Sequence, residues 1–227
     1  MDDDRMKFLL HVNTGLDELS VSGDDYKYLI KVRRHKAGDL IAFRSRENLR
    51  EEYRYRLERT DGRNAYFTLQ THHGSPCESG RPLHIGWCLI DPKTIEKTLP
   101  MLTELGVSKI TFIHCRRSQQ NFRLDFDRYK RIMESSIMQC GRTSLIELAE
   151  TPALSTFLKN NPQAVIFDFG GAPLAQEEMI DTVVIGCEEG FDESERKGFA
   201  DHRIRLFPSP MILRSETAAV AIASRLL

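Results

Sequence analysis

The 227-residue sequence predicts a small β-barrel followed by an α/β domain built on a mostly parallel sheet. Three observations carry this. Short apolar or alternating runs crowd the first third, separated by Gly, Asp and Asn turn residues. Beyond Arg81, strand-like runs alternate with helical ones. Between the two regions lies THHGSPCESGRP, Thr71 to Pro82, whose glycines, prolines and serines are the composition of a linker. The domains expected are therefore residues 1–72 and residues 80–227.

In the first domain, KFLLHV, DLIAFRS, YRYRLER and AYFTLQT read as strands. One helix interrupts them. Ser22 or Asp24 caps DDYKYLIKVRR, whose Tyr28, Leu29 and Val32 face inward at helical spacing and whose end carries Arg33 and Arg34. The second domain opens with the strand LHIGWCLI, followed by a helix from about Thr94 to Leu105 and the strand ITFIHC. A helix from about Phe126 to Cys140, the strands AVIFDF and TVVIGC, a short helix near Glu193, the strand RIRLF and an Ala-rich terminal helix complete it. Neither an internal repeat nor a low-complexity segment interrupts this order.

Charged residues make up 29% of the chain but nearly cancel, leaving a formal charge of −1, so total charge argues neither for nor against a nucleic-acid partner. Distribution says more. Lys27–Arg63 holds twelve Lys and Arg against six Asp and Glu, and Lys109–Arg142 eight against three. These two segments read as a footprint for phosphates or as a solvated face. Cys77, Cys88, Cys115, Cys140 and Cys187 are odd in number, widely spaced and free of any C-x-x-C pair. They read as buried free thiols in a reducing cytoplasm. His72 and His73 lack a third ligand at a metal-binding spacing, so a loop pair is the reading and no metal is expected. No apolar window reaches the ~18 residues of a membrane span. The start MDDDRMKFLL is too acidic for a signal peptide, and Met6 is an alternative start. A cytoplasmic protein is expected.

Ligands of open parallel sheets bind beyond the carboxyl ends of the strands. Three such ends are unusual here: FDFGGAPL, VVIGCEEGFDESE and LFPSPMILRSET. Gly170 and Gly171 let backbone approach a ligand closely. Asp192 and Glu195 have capping-box spacing and start a helix. Pro208 and Pro210 forbid regular strand pairing. The sequence contains no G-x-G-x-x-G, phosphate loop, G-x-S-x-G elbow or H-E-x-x-H, which disfavours a serine nucleophile, zinc or a bound triphosphate. Loops of this composition suit a ligand with an adenosine part and little charge.

Four stretches, LTELGVSKITFIHCRRS, MESSIMQCGRTS, VVIGCEEGFDESE and MILRSETAAVAIASRLL, occur in an order and spacing that resemble the RsmE family of 16S ribosomal RNA (uracil-N3)-methyltransferases, within the SPOUT superfamily. HVNTGLDELSVSGDDYKYLIKVRRHKAGDLI likewise resembles that family's N-terminal PUA-like barrel, so the similarity spans the chain. The family's usual Gly-Pro-Glu-Gly-Gly stands here as Gly186-Cys187-Glu188-Glu189-Gly190, and its Leu-Gly-x-Arg as Pro208-Ser209-Pro210-Met211.

The resemblance implies a C-terminal trefoil-knotted α/β domain, a homodimer and methylation of uracil N3 in 16S ribosomal RNA. It implies S-adenosylmethionine held in the knot by Phe169 and Gly170, by Ile185, Gly186, Glu188 and Gly190, and by Phe207, Pro208, Ser209, Met211, Ile212 and Leu213. The methyl donor is already an activated sulfonium, so the remaining tasks are alignment and disposal of the uracil N3 proton. A cation near uracil O2 or O4 stabilises the developing anion, and Arg214 is the candidate. Glu216 either orients that arginine or accepts the proton. The competing reading of the pair is a helix-start ion pair with no chemical role. Arg33, Arg34 and Arg44 are candidate phosphate contacts or a solvated face. Gln139 and Arg142 reach RNA or belong to a helix C-cap with Gly141 in a left-handed turn. The alternative function is a non-catalytic RNA-binding relative.

Overall fold

A computed structural model describes residues 7–118, 122–175, 178–199 and 203–227. The chain divides into two compact units. One comprises the described residues up to Glu78 together with Ile137–Ser144, and the other comprises Ser79–Ser136 and Leu145–Leu227.

The first unit is a five-stranded sheet of β1 (Leu9–Leu10), β2 (Glu18–Ser22), β3 (Leu40–Arg44), β4 (Glu51–Thr60) and β5 (Asn64–Gly74), in the order β1-β3-β4-β5-β2. Only β1 and β3 run parallel. Every second side chain of β2 is buried, the period-2 pattern of a sheet with one wet face. Val21, Phe43, Tyr55, Leu57 and Phe67 form the centre of its core. The Phe43 ring meets Tyr55 and Phe67 edge-on at 5.4 and 5.3 Å.

The expected helix is present in two parts: α1 (Gly23–Tyr26) continues directly into a wider π-helical stretch, Lys27–Val32. Widening the turn moves residues off the 3.6-residue period. Tyr26 and Leu29 are buried, whereas Val32, expected to face inward, is 66% exposed.

The second unit is a six-stranded parallel sheet in the order β11-β9-β10-β6-β7-β8. Its strands are β6 (His84–Cys88), β7 (Lys109–Ile113), β8 (Glu147–Thr151), β9 (Val165–Pro173), β10 (Thr182–Ile185) and β11 (Ile204–Leu206). Its helices are α2 (Pro92–Leu105), most of α3 (Phe126–Cys140), α4 (Leu154–Asn160), α5 (Glu193–Arg196) and α6 (Ser215–Leu226). All four residues of β10 and four of five in β6 are buried, as in a strand covered on both faces. The α2 start is set by Asp91, whose carboxylate accepts the Thr94 N–H, with Pro92 in the first turn where a missing N–H costs nothing.

Ala219, Ile222, Ala223 and Leu226 of α6 are buried in one core with Leu99 and Leu102 of α2 and Trp87 of β6. The small alanines permit close helix approach. Among the described residues, no helix is long and apolar enough to cross a membrane.

Cys88 and Cys115 correct the expectation of free thiols. They form a disulfide with their Cα atoms 5.7 Å apart, joining the ends of neighbouring strands β6 and β7. Among the described residues Cys77, Cys140 and Cys187 form no disulfide; Cys77 is exposed and the other two are half-buried, so none of them is a buried thiol.

Candidate functional site

The carboxyl ends of β9, β10 and β11 carry the three unusual segments, on one side of the sheet as parallel strands require. The β9 segment departs from its neighbour. Ile204 of β11 pairs with Ile166, yet the next residue, Arg205, pairs with Ala172, so residues 167–171 bulge out of register with β11. Phe169 is therefore 65% exposed although it belongs to a strand. Gly171 allows the chain to rejoin: a Cβ there would sit 2.6 Å from backbone atoms of Arg205. Asp168 in the bulge takes two bonds from Arg196 of α5, at 2.6 and 3.0 Å. With Phe169, Gly170, Phe199 and Ile204 they line a cavity of about 380 Å³.

The β10 segment turns sharply. Ile185 is buried, Gly186 half-buried and Glu188 exposed, and the Gly190 N–H returns to the Cys187 carbonyl at 2.9 Å. Gly190 takes φ of 66°, where a side chain would be strained. Arg117 Nη1 donates to the Glu189 carbonyl at 2.8 Å, fixing the loop from outside. Burial pushes the Cys187 thiol up, which keeps it protonated and unsuited to nucleophilic attack. Both bonds of the expected capping box exist: Asp192 accepts the Glu195 N–H at 2.7 Å and Glu195 accepts the Asp192 N–H at 3.0 Å. The Ser194 hydroxyl and the Glu195 N–H hold the Asp192 carboxyl below the usual range.

The β11 segment, Phe207 to Leu213, folds on itself. The Ser209 N–H donates to the Phe207 carbonyl at 2.8 Å and the Met211 N–H to Ser209 Oγ at 3.1 Å. Pro208 and Pro210 offer no donor. Met211 and Ile212 are 71% and 80% exposed.

Arg214 caps α6 in extended conformation and is exposed. Among the described residues it makes no ion pair, and the helix-start pair with Glu216 is absent. One carboxylate oxygen of Glu216 is buried without a hydrogen-bond partner among the described residues. Between them, Ser215 accepts a hydrogen bond from Trp87 Nε1 at 2.9 Å and donates to the Gly186 carbonyl at 2.5 Å. Ser215, Trp87, Asp168 and Arg196 were not singled out by sequence; only the position of Ser215 beside Arg214 hinted at a role.

The remaining candidates belong to the first unit. Arg34 and Gln139 are exposed, and Arg33 lies against Tyr28, donating to its hydroxyl at 2.8 Å. Arg44 is not on a solvated face. It is 3% exposed, bonds Glu52 at 2.8 Å and the Leu49 carbonyl at 2.7 Å, and its Nε has no hydrogen-bond partner among the described residues. Burial draws its guanidinium down despite Glu52. Arg142 is also buried and bonds Ser144 Oγ at 3.0 Å, while Gly141 has the left-handed φ of 90° expected of a helix end. A cavity of about 840 Å³ in this unit is lined by Lys7, His35, Arg44, Arg54 and Gly141, among others. No cluster of metal-ligating side chains occurs among the described residues.

The RNA methyltransferase domain family matches residues 77–227. Two relatives named ribosomal RNA small subunit methyltransferase E, from two Helicobacter pylori strains, are 33% identical over 96% of this chain and 98% of their own. A putative methyltransferase from Legionella pneumophila, solved with bound S-adenosylmethionine, superposes with a TM-score of 0.75 at 21% identity, covering 98% of this chain and 97% of that one. A ribosomal RNA small subunit methyltransferase E from Neisseria gonorrhoeae, also bound to S-adenosylmethionine, does so at 0.72 and 19%, covering 96% of each. At these identities the two structures speak for the fold.

Proposed function

The chain belongs to the RNA methyltransferase family, among the ribosomal RNA small subunit methyltransferase E proteins, and from that premise we propose that it transfers a methyl group from S-adenosylmethionine to N3 of a uracil in 16S ribosomal RNA. One observation carries the assignment: the loop after β10 is bonded at the Gly186 carbonyl to the start of α6, which presents an exposed Arg214 with no ion pair among the described residues.

The residues present suit the cofactor. The cavity of about 380 Å³ beside the exposed Phe169 ring has open space where Gly170 would carry a Cβ and the Asp168–Arg196 ion pair in its wall, so it offers surface to both the apolar and the charged parts of such a molecule. Phe169 and Gly170, Ile185, Gly186, Glu188 and Gly190, and the segment Phe207–Leu213 would hold it, mostly through backbone groups. Bound there, S-adenosylmethionine supplies an electrophilic methyl on a sulfonium sulfur.

The protein's part is positioning and charge. Uracil N3–H ionises about two units above neutral pH, so forming the anion costs roughly 3 kcal/mol. Arg214, which makes no ion pair among the described residues, stabilises the charge as it develops on the uracil oxygens. Glu216 either orients that guanidinium or takes the proton; its buried, unpaired oxygen supports a polar partner arriving with the substrate.

RNA contacts are assigned to the N-terminal PUA-like domain, residues 1–72, through Arg33 and Arg34, and to the exposed Gln139 within the second basic segment, whose buried Arg142 braces the helix end through Ser144. Arg44, held by Glu52, shapes the wall of the larger cavity. Residues 80–227 form the methyltransferase domain. Its C-terminal segment threads a trefoil knot, in keeping with the small alanines of α6. The protein acts in the cytoplasm as a homodimer, a reading supported by the exposed apolar side chains of Phe169, Met179, Met211 and Ile212. Light scattering at micromolar concentration is expected to give twice the chain mass, and a monomer would defeat the dimer.

The decisive experiment is single-turnover methylation by Arg214→Ala. Its rate is expected to fall on the order of 10² to 10³-fold, with cofactor affinity little changed and partial recovery at raised pH, where uracil ionises unaided. A near-normal rate, or failure to bind the cofactor, would remove Arg214 from the chemistry. Mass spectrometry of ribosomal RNA from a deletion strain checks the product. A full complement of methylated uracil there would leave the reading of a non-catalytic RNA-binding relative.

A further inference from the structure

Ser215 is 5% exposed and lies at the first turn of α6, where a serine hydroxyl ordinarily helps satisfy free backbone N–H groups. Its hydroxyl goes elsewhere. The indole of Trp87 can only donate, so its Nε1–H takes one lone pair of Ser215 Oγ and turns the serine proton toward the Gly186 carbonyl. The bonds measure 2.9 and 2.5 Å. Direction is thereby fixed along the chain Trp87, Ser215, Gly186. Three segments distant in sequence meet at this one oxygen: the end of β6, the loop after β10, and the start of α6.

We propose that Ser215 is a positioning residue for methyl transfer, its hydroxyl locking the start of α6, and with it Arg214, to the Gly186 loop. This rests on the function proposed above and deepens it. Gly186 opens the turn closed by Gly190, so the same oxygen that anchors the arginine's backbone also fixes the loop assigned to the cofactor. Without the hydroxyl, a buried indole N–H and the Gly186 carbonyl both lose their partner, and the helix start is free to shift. Alignment of reacting groups tolerates little such movement. Other candidates carry less: nothing in the lining of the 840 Å³ cavity says what would fill it, and nothing identifies what pairs with Arg44 Nε.

Trp87 is the only tryptophan in the chain, so its emission reports the bond directly. The test compares Ser215→Ala, Ser215→Cys and Ser215→Thr with the wild type, without added reductant so that the Cys88–Cys115 disulfide beside Trp87 stays intact, and below the unfolding midpoint of the weakest variant. Three quantities are read: Trp emission, S-adenosylmethionine affinity, and single-turnover rate on 16S ribosomal RNA across pH. Threonine keeps a hydroxyl and is expected to stay within roughly 3-fold of wild type, whereas alanine loses roughly 10- to 100-fold in rate, with cysteine between.

The alanine loss is expected to shrink at raised pH, as for Arg214→Ala, and its Trp emission to shift to the blue. A merely structural serine would lower the unfolding midpoint without that pH-dependent recovery. If the alanine variant does not fold, the threonine and cysteine variants decide, since both fill the site and only threonine keeps a full hydroxyl. Equal rates for threonine, cysteine and alanine, or for threonine and cysteine alone in that case, overturn the proposal while leaving the function intact. A wild type that binds no S-adenosylmethionine overturns both.

Discussion

His84 shows how one side chain couples this fold to pH. It begins β6, with its Nε2 2.8 Å from Thr111 Oγ1 and its ring edge-on to Phe157 at 5.3 Å. Burial, then the nearby Lys109 charge, pushes its pKa down from 6.5 to about 4, with Glu147 opposing. A base with a depressed folded pKa binds its proton less readily than the unfolded chain does. Between pH 6.5 and 4 the unfolded state therefore holds more protons, and stability falls as pH falls through that window. The loss is on the order of 2 to 3 kcal/mol and levels off below the folded pKa. Urea midpoints at pH 7 and pH 5 are expected to differ less for His84→Gln than for wild type; equal differences would put the titration elsewhere. At this scale the sequence was legible where partners are local. The Asp192–Glu195 capping box closes across three residues and follows from spacing alone. Ser215 was opaque because its donor is 128 residues away, and no local pattern records such a meeting.

Among the elements, the break in pairing between β9 and β11 does most to shape the site. Gly171 sits where the bulged strand rejoins its neighbour, and the atoms a Cβ would strike are backbone N, Cα and C of Arg205, which cannot turn aside. Gly171→Ala is expected to cost about 2 kcal/mol or more and to weaken S-adenosylmethionine binding. Gly170→Ala, facing nothing within 4 Å, is the control for folding alone and is expected to keep the wild-type stability. Chemical denaturation separates the two, and equal midpoints would mean β11 yields instead. The central parallel strands were legible because both faces are covered and their residues are mostly apolar. β8 and α4 were not: Glu147 and Glu150 put charges on an edge strand, and the seven residues of α4 are too few to display a helical period. The wide turns of Lys27–Val32 defeated the 3.6-residue template, so the inward face was misassigned at Val32.

The whole molecule is less modular than its sequence suggests. A linker read from composition marks where contacts thin out along the chain, but it cannot show that a later segment comes back. Ile137–Ser144 belongs to the first unit: the Lys7 N–H bonds the Met138 carbonyl at 2.9 Å, and Cys77 and Thr143 exchange bonds at 2.9 and 3.0 Å. Met138 also packs on the core of that unit. A fragment ending at Glu78 is therefore expected to melt well below the intact unit, or not to fold, by circular dichroism. Addition of a peptide spanning residues 137–144 is expected to recover part of the loss, and a fragment as stable as the intact unit would show the segment to be dispensable. The same return sets a clock on synthesis. The ribosome has made all of the sheet once Glu78 is added, yet the piece that completes it ends 66 residues later, at Ser144. At ~5–20 residues per second that is a wait of about 3 to 13 s. During it, the nascent N-terminal sheet stands unfinished, and its exposed core is open to chaperones just as the strands of the second unit begin to emerge.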